Sequence, residues 1–336
     1  MAQLAHLHAV TGARDDGSGA GGMEYPTLIT AGIETTWAGT LPAEDDPLLE
    51  VVIFHEFAHQ YWYGMVASNE FEEPWLDEGI TSYSEHLGLQ DLWPFKRAAY
   101  VAYGGANVIR LPIDNPALAE FTRYAGTRSV VRRGPLINTS WGYKGDYGYA
   151  VNAYPRPAIA LQTLQVLLGD EAMGRVMRAY FERWKFGHPT SQDFFDIASE
   201  VSGRDLGWYF DQAFRSDRLL DYGVQSVEKL DGKDETEVIL ERVGDAVFPI
   251  EARVVRTDGS TELLSWDGRS AQQVFLVAST PAVRRVDVYS GGVPMLDAYA
   301  TNNTWTDHTD RAGPARVATD CGLLFEHLTL LFAGAF

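Results

Sequence analysis

Apolar residues recur every three or four positions over residues 47–66, where Leu48, Val51, Val52, Phe54, Phe57, Ala58, Tyr61 and Trp62 gather on one side of a helix. A second helix is predicted over residues 77–89. The same period returns over residues 158–168 and stops at Gly169, a residue that readily takes the left-handed conformation closing many helices. It continues over residues 170–184, with Met173, Val176, Met177, Tyr180 and Phe181 in one stripe. Two further helices follow, over residues 191–201, where Ser191 can cap the first turn and Gly203 lies just past the end, and over residues 205–214.

The remaining stretches read differently. Residues 1–22, rich in Gly, Ala and Asp, are expected to be poorly ordered, and residues 28–30 offer a short strand. Residues 104–148 are broken by Gly and Pro and read as a long irregular connection with some helix. Beyond about residue 221 the apolar positions alternate in short runs, as in Val238 and Leu240, Ile250, Ala252 and Val254, Val274 and Leu276, Val286 and Val288. The pairs Asp231-Gly232 and Asp258-Gly259 supply hairpin turns. The fold class predicted is α+β: a lead at 1–22, a mainly helical domain at 23–220, a small β-sandwich at 221–300 and a tail at 301–336.

Composition narrows the function. With 336 residues, 46% of them apolar, the chain can bury a core in each of two domains. A net charge of −19 argues against nucleic acid as a partner, since phosphate backbones demand clustered Lys and Arg. The single cysteine, Cys321, excludes an intrachain disulfide and a cysteine-rich zinc site, so any metal must be held by His, Asp and Glu. The amino terminus lacks the basic start and apolar core of a signal peptide. No run reaches the roughly 18 apolar residues of a spanning helix. Residues 323–336, LLFEHLTLLFAGAF, come nearest and read equally as a docked helix or as the start of a longer, membrane-directed segment. The expected location is cytoplasmic or membrane-associated. Nothing in the sequence speaks to oligomeric state.

The chemistry centres on His55-Glu56-Phe57-Ala58-His59. Within a helix, a spacing of four puts both imidazoles on one face and one turn apart, within reach of a single ion. Glu56 lies beside them, where a carboxylate can take a proton from an activated water. Glu78 follows His59 by 19 positions, at the start of the next predicted helix, and a helix–loop–helix folds it back as a third ligand. The competing reading is an amphipathic helix with two surface histidines, which the apolar neighbours Phe54, Phe57 and Ala58 oppose. On the second helix, Glu85 and His86 are expected on a solvated face, although Glu85 could orient a ligand histidine.

In the form HEFAHQYWYG followed by WLDEGITSYSE, this pattern resembles the gluzincin aminopeptidases of the aminopeptidase N type. Upstream, Gly21-Gly22-Met23-Glu24-Tyr25-Pro26 is similar to that family's exopeptidase motif, Gly-Ala-Met-Glu-Asn, with Gly22 in place of Ala and Tyr25 in place of Asn. The resemblance implies that Glu24, with Gly22 and Met23, binds the free α-amino group of a peptide. Tyr154-Pro155-Arg156-Pro157 resembles the family's Tyr-Glu-Lys-Gly segment, which implies that Tyr154 supports the oxyanion; only the tyrosine is shared. Tyr147 and Tyr149 compete for that role, and Tyr154 could equally pack at a helix start.

The resemblance spans residues 20–303. It implies a thermolysin-like catalytic domain holding one Zn2+ per chain through His55, His59 and Glu78, with Glu56 as general base and peptides with free amino termini as substrates. The β-domain that precedes the exopeptidase motif in family members is expected to be missing here. Three other readings stay open: a gluzincin endopeptidase, an epoxide hydrolase with the same zinc ligands, and a catalytically silent, zinc-stabilised interaction module.

Overall fold

The computed structural model describes residues 8–14, 21–34, 48–92, 97–103, 106–113, 134–289, 296–299 and 301–308. The first apolar stripe forms α1 (Leu48–Trp62), and α2 (Glu78–Leu92) packs against it. The segment joining them is anchored by Trp75, which is fully buried in a short 3-10 turn, Pro74–Leu76. Its indole N–H donates to Ser191 Oγ at 2.8 Å, and its ring meets Phe214 edge-on at 4.8 Å between centroids. A buried Trp with its N–H satisfied fixes the chain firmly. Here it fixes the entry to α2, and with it Glu78.

Residues 145–168 form two helices with a break between them, α3 (Gly145–Ala153) and α4 (Pro155–Leu168). Pro155 has no N–H to continue the α3 ladder but suits the first position of a new helix. Tyr154 therefore stands at the corner, with φ −103° and ψ −86°. The helix starts three residues before the predicted boundary, because Pro155 and Pro157 belong to its first turn. Helix α4 buries Ala158, Ile159, Leu161 and Leu164 and packs on α2. The two helices meet at Gly79, where a Cβ would lie 2.5 Å from Pro157 Cγ. Only a bare α-carbon lets the two helices come this close.

Helices α5 (Asp170–Trp184), α6 (Ser191–Ser202) and α7 (Gly207–Ala213) complete the helical part. The cap of α6 is Thr190, whose N–H and hydroxyl both donate to Asp193; Ser191, expected there, instead accepts from Trp75. Gly169 and Gly203 sit at the predicted helix ends, both with positive φ.

Three small strands lie beside α1. Strand β1 (His8–Arg14) runs parallel to β3 (Leu28–Glu34), and β2 (Gly22–Met23) pairs antiparallel with β3, setting Met23 opposite Thr30. The lead expected to be poorly ordered thus contributes strands. The expected irregular connection likewise holds a strand, β5 (Ala106–Ile113), which pairs antiparallel with β4 (Arg97–Tyr103) just ahead of it.

Seven strands follow. Strands β6 (Tyr222–Lys229), β7 (Glu235–Arg242) and β10 (Gln272–Ala278) form one sheet in the order β10-β7-β6. The second sheet takes β8 (Ile250–Arg256), β9 (Thr261–Trp266), β11 (Val283–Asp287) and β12 (Thr304–Thr306) in the order β12-β11-β8-β9, and so extends past residue 300. Val238 and Leu240 on one sheet and Ala252, Val254 and Val286 on the other belong to one buried core. This core continues into the helices through α7, where Gln212 accepts from Val247 N–H at 2.6 Å and donates to Val247 O at 3.0 Å. Residues 323–336 lie outside the described residues. Among those described, no helix is long and apolar enough to cross a membrane.

Candidate metal centre and peptidase cleft

His55 and His59 stand one turn apart on α1 with ring centroids 4.7 Å apart. Glu78, the first residue of α2, places Oε2 3.1 Å from Nε2 of each ring. One donor atom from each of the three side chains lies within 4.8 Å of the others. The outer ring nitrogens are occupied as well: His55 Nδ1 is 2.9 Å from Glu85 Oε2, and His59 Nδ1 is 2.7 Å from Asp77 Oδ1. A carboxylate on Nδ1 holds that nitrogen protonated and leaves Nε2 free to ligate. Two imidazole nitrogens and one carboxylate oxygen converging on one point, with the fourth side open to a cleft, fit zinc.

Glu85 and His86, expected on a solvated face, are both buried, at 8% and 5% exposure. Helix α2 is sandwiched between α1 and α4, so most of its faces are covered. Asp77, buried at 1% exposure, has a place in the site that the sequence reading overlooked. Its signal was available: a ligating imidazole needs a partner for its second nitrogen, and Asp77 directly precedes Glu78, the expected third ligand.

The charges are arranged to be held. Burial would lower His55, but the hydrogen bonds from Glu78 and Glu85 overcome it and raise the imidazole to about 9. His59 is raised in the same way, against burial, by Asp77 and Glu78. Burial would raise Glu78, yet the two imidazoles hold it well below the usual carboxylate range. Glu56 has no such support. Burial pushes its carboxyl up to about 7, against the pull of both histidines.

Glu56 faces strand β2. A methyl group on Gly22 would overlap the Glu56 carboxylate unless that side chain shifted. Glu24 lies on the turn after β2, and its carboxylate falls in a group with Glu56 and His59 whose donor atoms are within 4.8 Å of one another. The turn is tied to α1 by Gln60, the residue after His59. Gln60 Oε1 accepts Thr27 N–H at 3.2 Å, and Nε2 donates to the carbonyls of Glu24 and Tyr25, each at 3.4 Å. No sequence pattern links Gln60 to residues more than thirty positions upstream, and only the folded chain brings it to light.

Tyr154 completes the wall. Its hydroxyl donates to Glu78 Oε1 at 2.6 Å, and its ring stacks on His55 at 5.8 Å. Burial, followed by the negative charge of Glu78, holds the phenol well above its ordinary range, so it remains a donor. Tyr149 lines the same cleft with its ring 6.1 Å from Tyr154, and the side chain of Tyr147 lies outside the described residues. The cleft has a volume of about 740 Å³ and brings together Gly22, Met23, Glu24, Glu56 and Tyr154 over the histidine pair.

A helix pair carrying two imidazoles and a carboxylate, set under an open cleft with a further carboxyl at its edge, is the arrangement of a metallopeptidase domain. The peptidase family M1 domain matches residues 13–213, and the chain belongs to that family. An aminopeptidase N of Lactococcus lactis subsp. lactis is 26% identical over 164 residues, 48% of this chain and 18% of that protein. Aminopeptidase B of Rattus norvegicus is 25% identical over 182 residues, 54% of this chain and 25% of its own length. Aminopeptidase A of Legionella pneumophila, solved in complex with aspartic acid, shares the fold over 80% of this chain and 29% of its own, with a TM-score of 0.53 at 17% identity. The chain therefore spans 18% to 25% of the length of the curated relatives named here.

Proposed function

We propose that this chain is the catalytic part of a zinc-dependent aminopeptidase that removes residues from peptides with a free amino terminus. The observation that carries the reading is the position of Glu24, whose carboxylate lies within 4.8 Å of the Glu56 and His59 donor atoms. A carboxylate there pairs with an ammonium group by charge-assisted hydrogen bonds, and a blocked terminus forfeits them. So short a distance from Glu24 to Glu56 suits an amine and a scissile carbonyl that belong to the same, first residue of the peptide. The aminopeptidase names carried by the relatives support the same activity.

His55, His59 and Glu78 would hold one zinc ion. Bound there, zinc would polarise the scissile carbonyl and bring the pKa of a water to about 7. Glu56, its carboxyl already near neutrality, takes a proton from the attacking water and passes it to the leaving amine. Tyr154 turns its hydroxyl from Glu78 towards the carbonyl oxygen as negative charge develops there. Asp77 and Glu85 keep the imidazoles oriented throughout.

Turnover of a fluorogenic amino-acid amide by the zinc-loaded chain tests the reading. Glu56→Gln is expected to bind zinc fully and to lose roughly 10²–10⁴-fold in kcat. Equal turnover by that variant would remove Glu56 from the reaction.

A further inference from the structure

We propose that Glu70 selects peptides whose first side chain is cationic, arginine or lysine; the inference rests on the aminopeptidase reading above. Among the described residues, five carboxylates line the cleft, those of Glu24, Glu56, Glu70, Glu78 and Glu85, and no Lys or Arg does. Four have work already. Glu78 and Glu85 face the histidines, Glu56 is the base and Glu24 takes the α-amino group. Glu70 alone is unassigned; among the described residues its carboxylate has no hydrogen bond, and the charge of the His59 imidazole acts on it only through space.

The backbone at Glu70 is held in place. Ser140 Oγ donates to Glu70 O at 2.6 Å, Ser140 N–H donates to Phe71 O at 2.8 Å, and Phe71 N–H is held by Asn69 Oδ1 at 3.1 Å. These bonds fix where the Glu70 side chain leaves the wall of the cleft. Burial, then the charges of Glu24 and Glu78, raise the Glu70 carboxyl against the weaker pull of His59, so its ionised form is only partly compensated. A guest's ammonium at Glu24 neutralises one of these charges. A guanidinium or second ammonium on the first side chain neutralises Glu70, whereas a neutral side chain leaves it only partly compensated and an acidic one adds repulsion. Met23, Tyr25 and Tyr63 line the same cleft and offer apolar and aromatic surface to the stem of a long cationic side chain.

The test compares kcat/KM for fluorogenic amides of arginine, citrulline, lysine, norleucine and aspartate. Citrulline and norleucine are neutral matches to the two cations. The wild-type chain should favour arginine over citrulline by about tenfold, a difference of about 1.4 kcal/mol, with aspartate poorest. Glu70→Gln should cut the arginine-to-citrulline ratio at least fivefold, chiefly through KM, and Glu70→Lys should move the preference towards aspartate. A ratio near one in the wild type, or a Glu70→Gln variant that lowers every substrate by the same factor, overturns the proposal; the latter would place Glu70 on the α-amino group. Failure to hydrolyse any free-amine amide would instead count against the aminopeptidase reading. In that event, calorimetric binding of argininamide and citrullinamide to zinc-loaded Glu56→Gln protein still decides about Glu70: tighter argininamide supports selection, and equal affinity ends it.

Discussion

Replacing Gln60 with Ala separates what holds the fold from what positions the substrate. The Gln60 side chain, 6% exposed, makes one hydrogen bond of 3.2 Å to Thr27 N–H and two long ones of 3.4 Å to the carbonyls of Glu24 and Tyr25. Counting about 1 kcal/mol for the first and about half that for each of the others gives a ceiling of about 2 kcal/mol. Tyr25 and Thr27 are exposed, so water can replace part of this, and the net loss should be about 1 kcal/mol. In a domain of this size that lowers Tm by roughly 2–4 °C. The functional cost should be larger. Without its tether the turn no longer holds Glu24 at a fixed distance from the base, and a charge-assisted hydrogen bond of about 1.5–3 kcal/mol to the substrate amine is weakened or lost. That corresponds to roughly 10–150-fold in kcat/KM for a free-amine substrate. Differential scanning calorimetry and steady-state kinetics on the zinc-loaded variant give the two numbers. A Tm drop of the expected size with kcat/KM within about twofold of wild type would show that Gln60 merely stabilises the turn, and would refute the positioning argument.

Two further outcomes follow from the same geometry. Because Glu78 and Glu85 raise His55 to about 9, its proton is bound at neutral pH and zinc must displace it, so apparent zinc affinity should climb as pH rises from about 6 to 8, with proton release visible by calorimetry in buffers of different ionisation enthalpy. A flat profile would contradict the charge arrangement. Gly79→Ala should push α2 from α4, since its Cβ would meet Pro157 Cγ at 2.5 Å, roughly 1 Å inside van der Waals contact. We expect about 1–3 kcal/mol of destabilisation by thermal melting and a lower kcat as the Tyr154–Glu78 pair separates; unchanged values in both would show that the helices part freely.

How much of this was legible in the sequence depended on how local each interaction is. His55, Glu56 and His59 lie within one turn and a half of helix, and Glu78 opens the next helix, so period and spacing alone point to the candidate metal site. The break at Tyr154 was also written in the sequence, through Pro155 and Pro157, although their place inside the first turn of α4 was misjudged. Glu85 was misread because the period of α2 does not reveal that both α1 and α4 cover it. The hairpin β4–β5 does not emerge from the sequence reading because Gly104, Gly105 and the Gly and Pro residues that follow read as the start of an irregular connection. The Gln60 tether and the Gly22–Glu56 contact are tertiary, and no local pattern encodes either.

The central claim is that Glu24 measures one residue from a free amino terminus to the metal site. Mass spectrometry of an unblocked peptide incubated with the zinc-loaded chain, beside the same peptide Nα-acetylated, tests it most directly. The account predicts a ladder of single-residue losses from the unblocked peptide and no cleavage of the acetylated one. Internal cuts in both peptides at similar rates would contradict it and leave an endopeptidase on the same metal site.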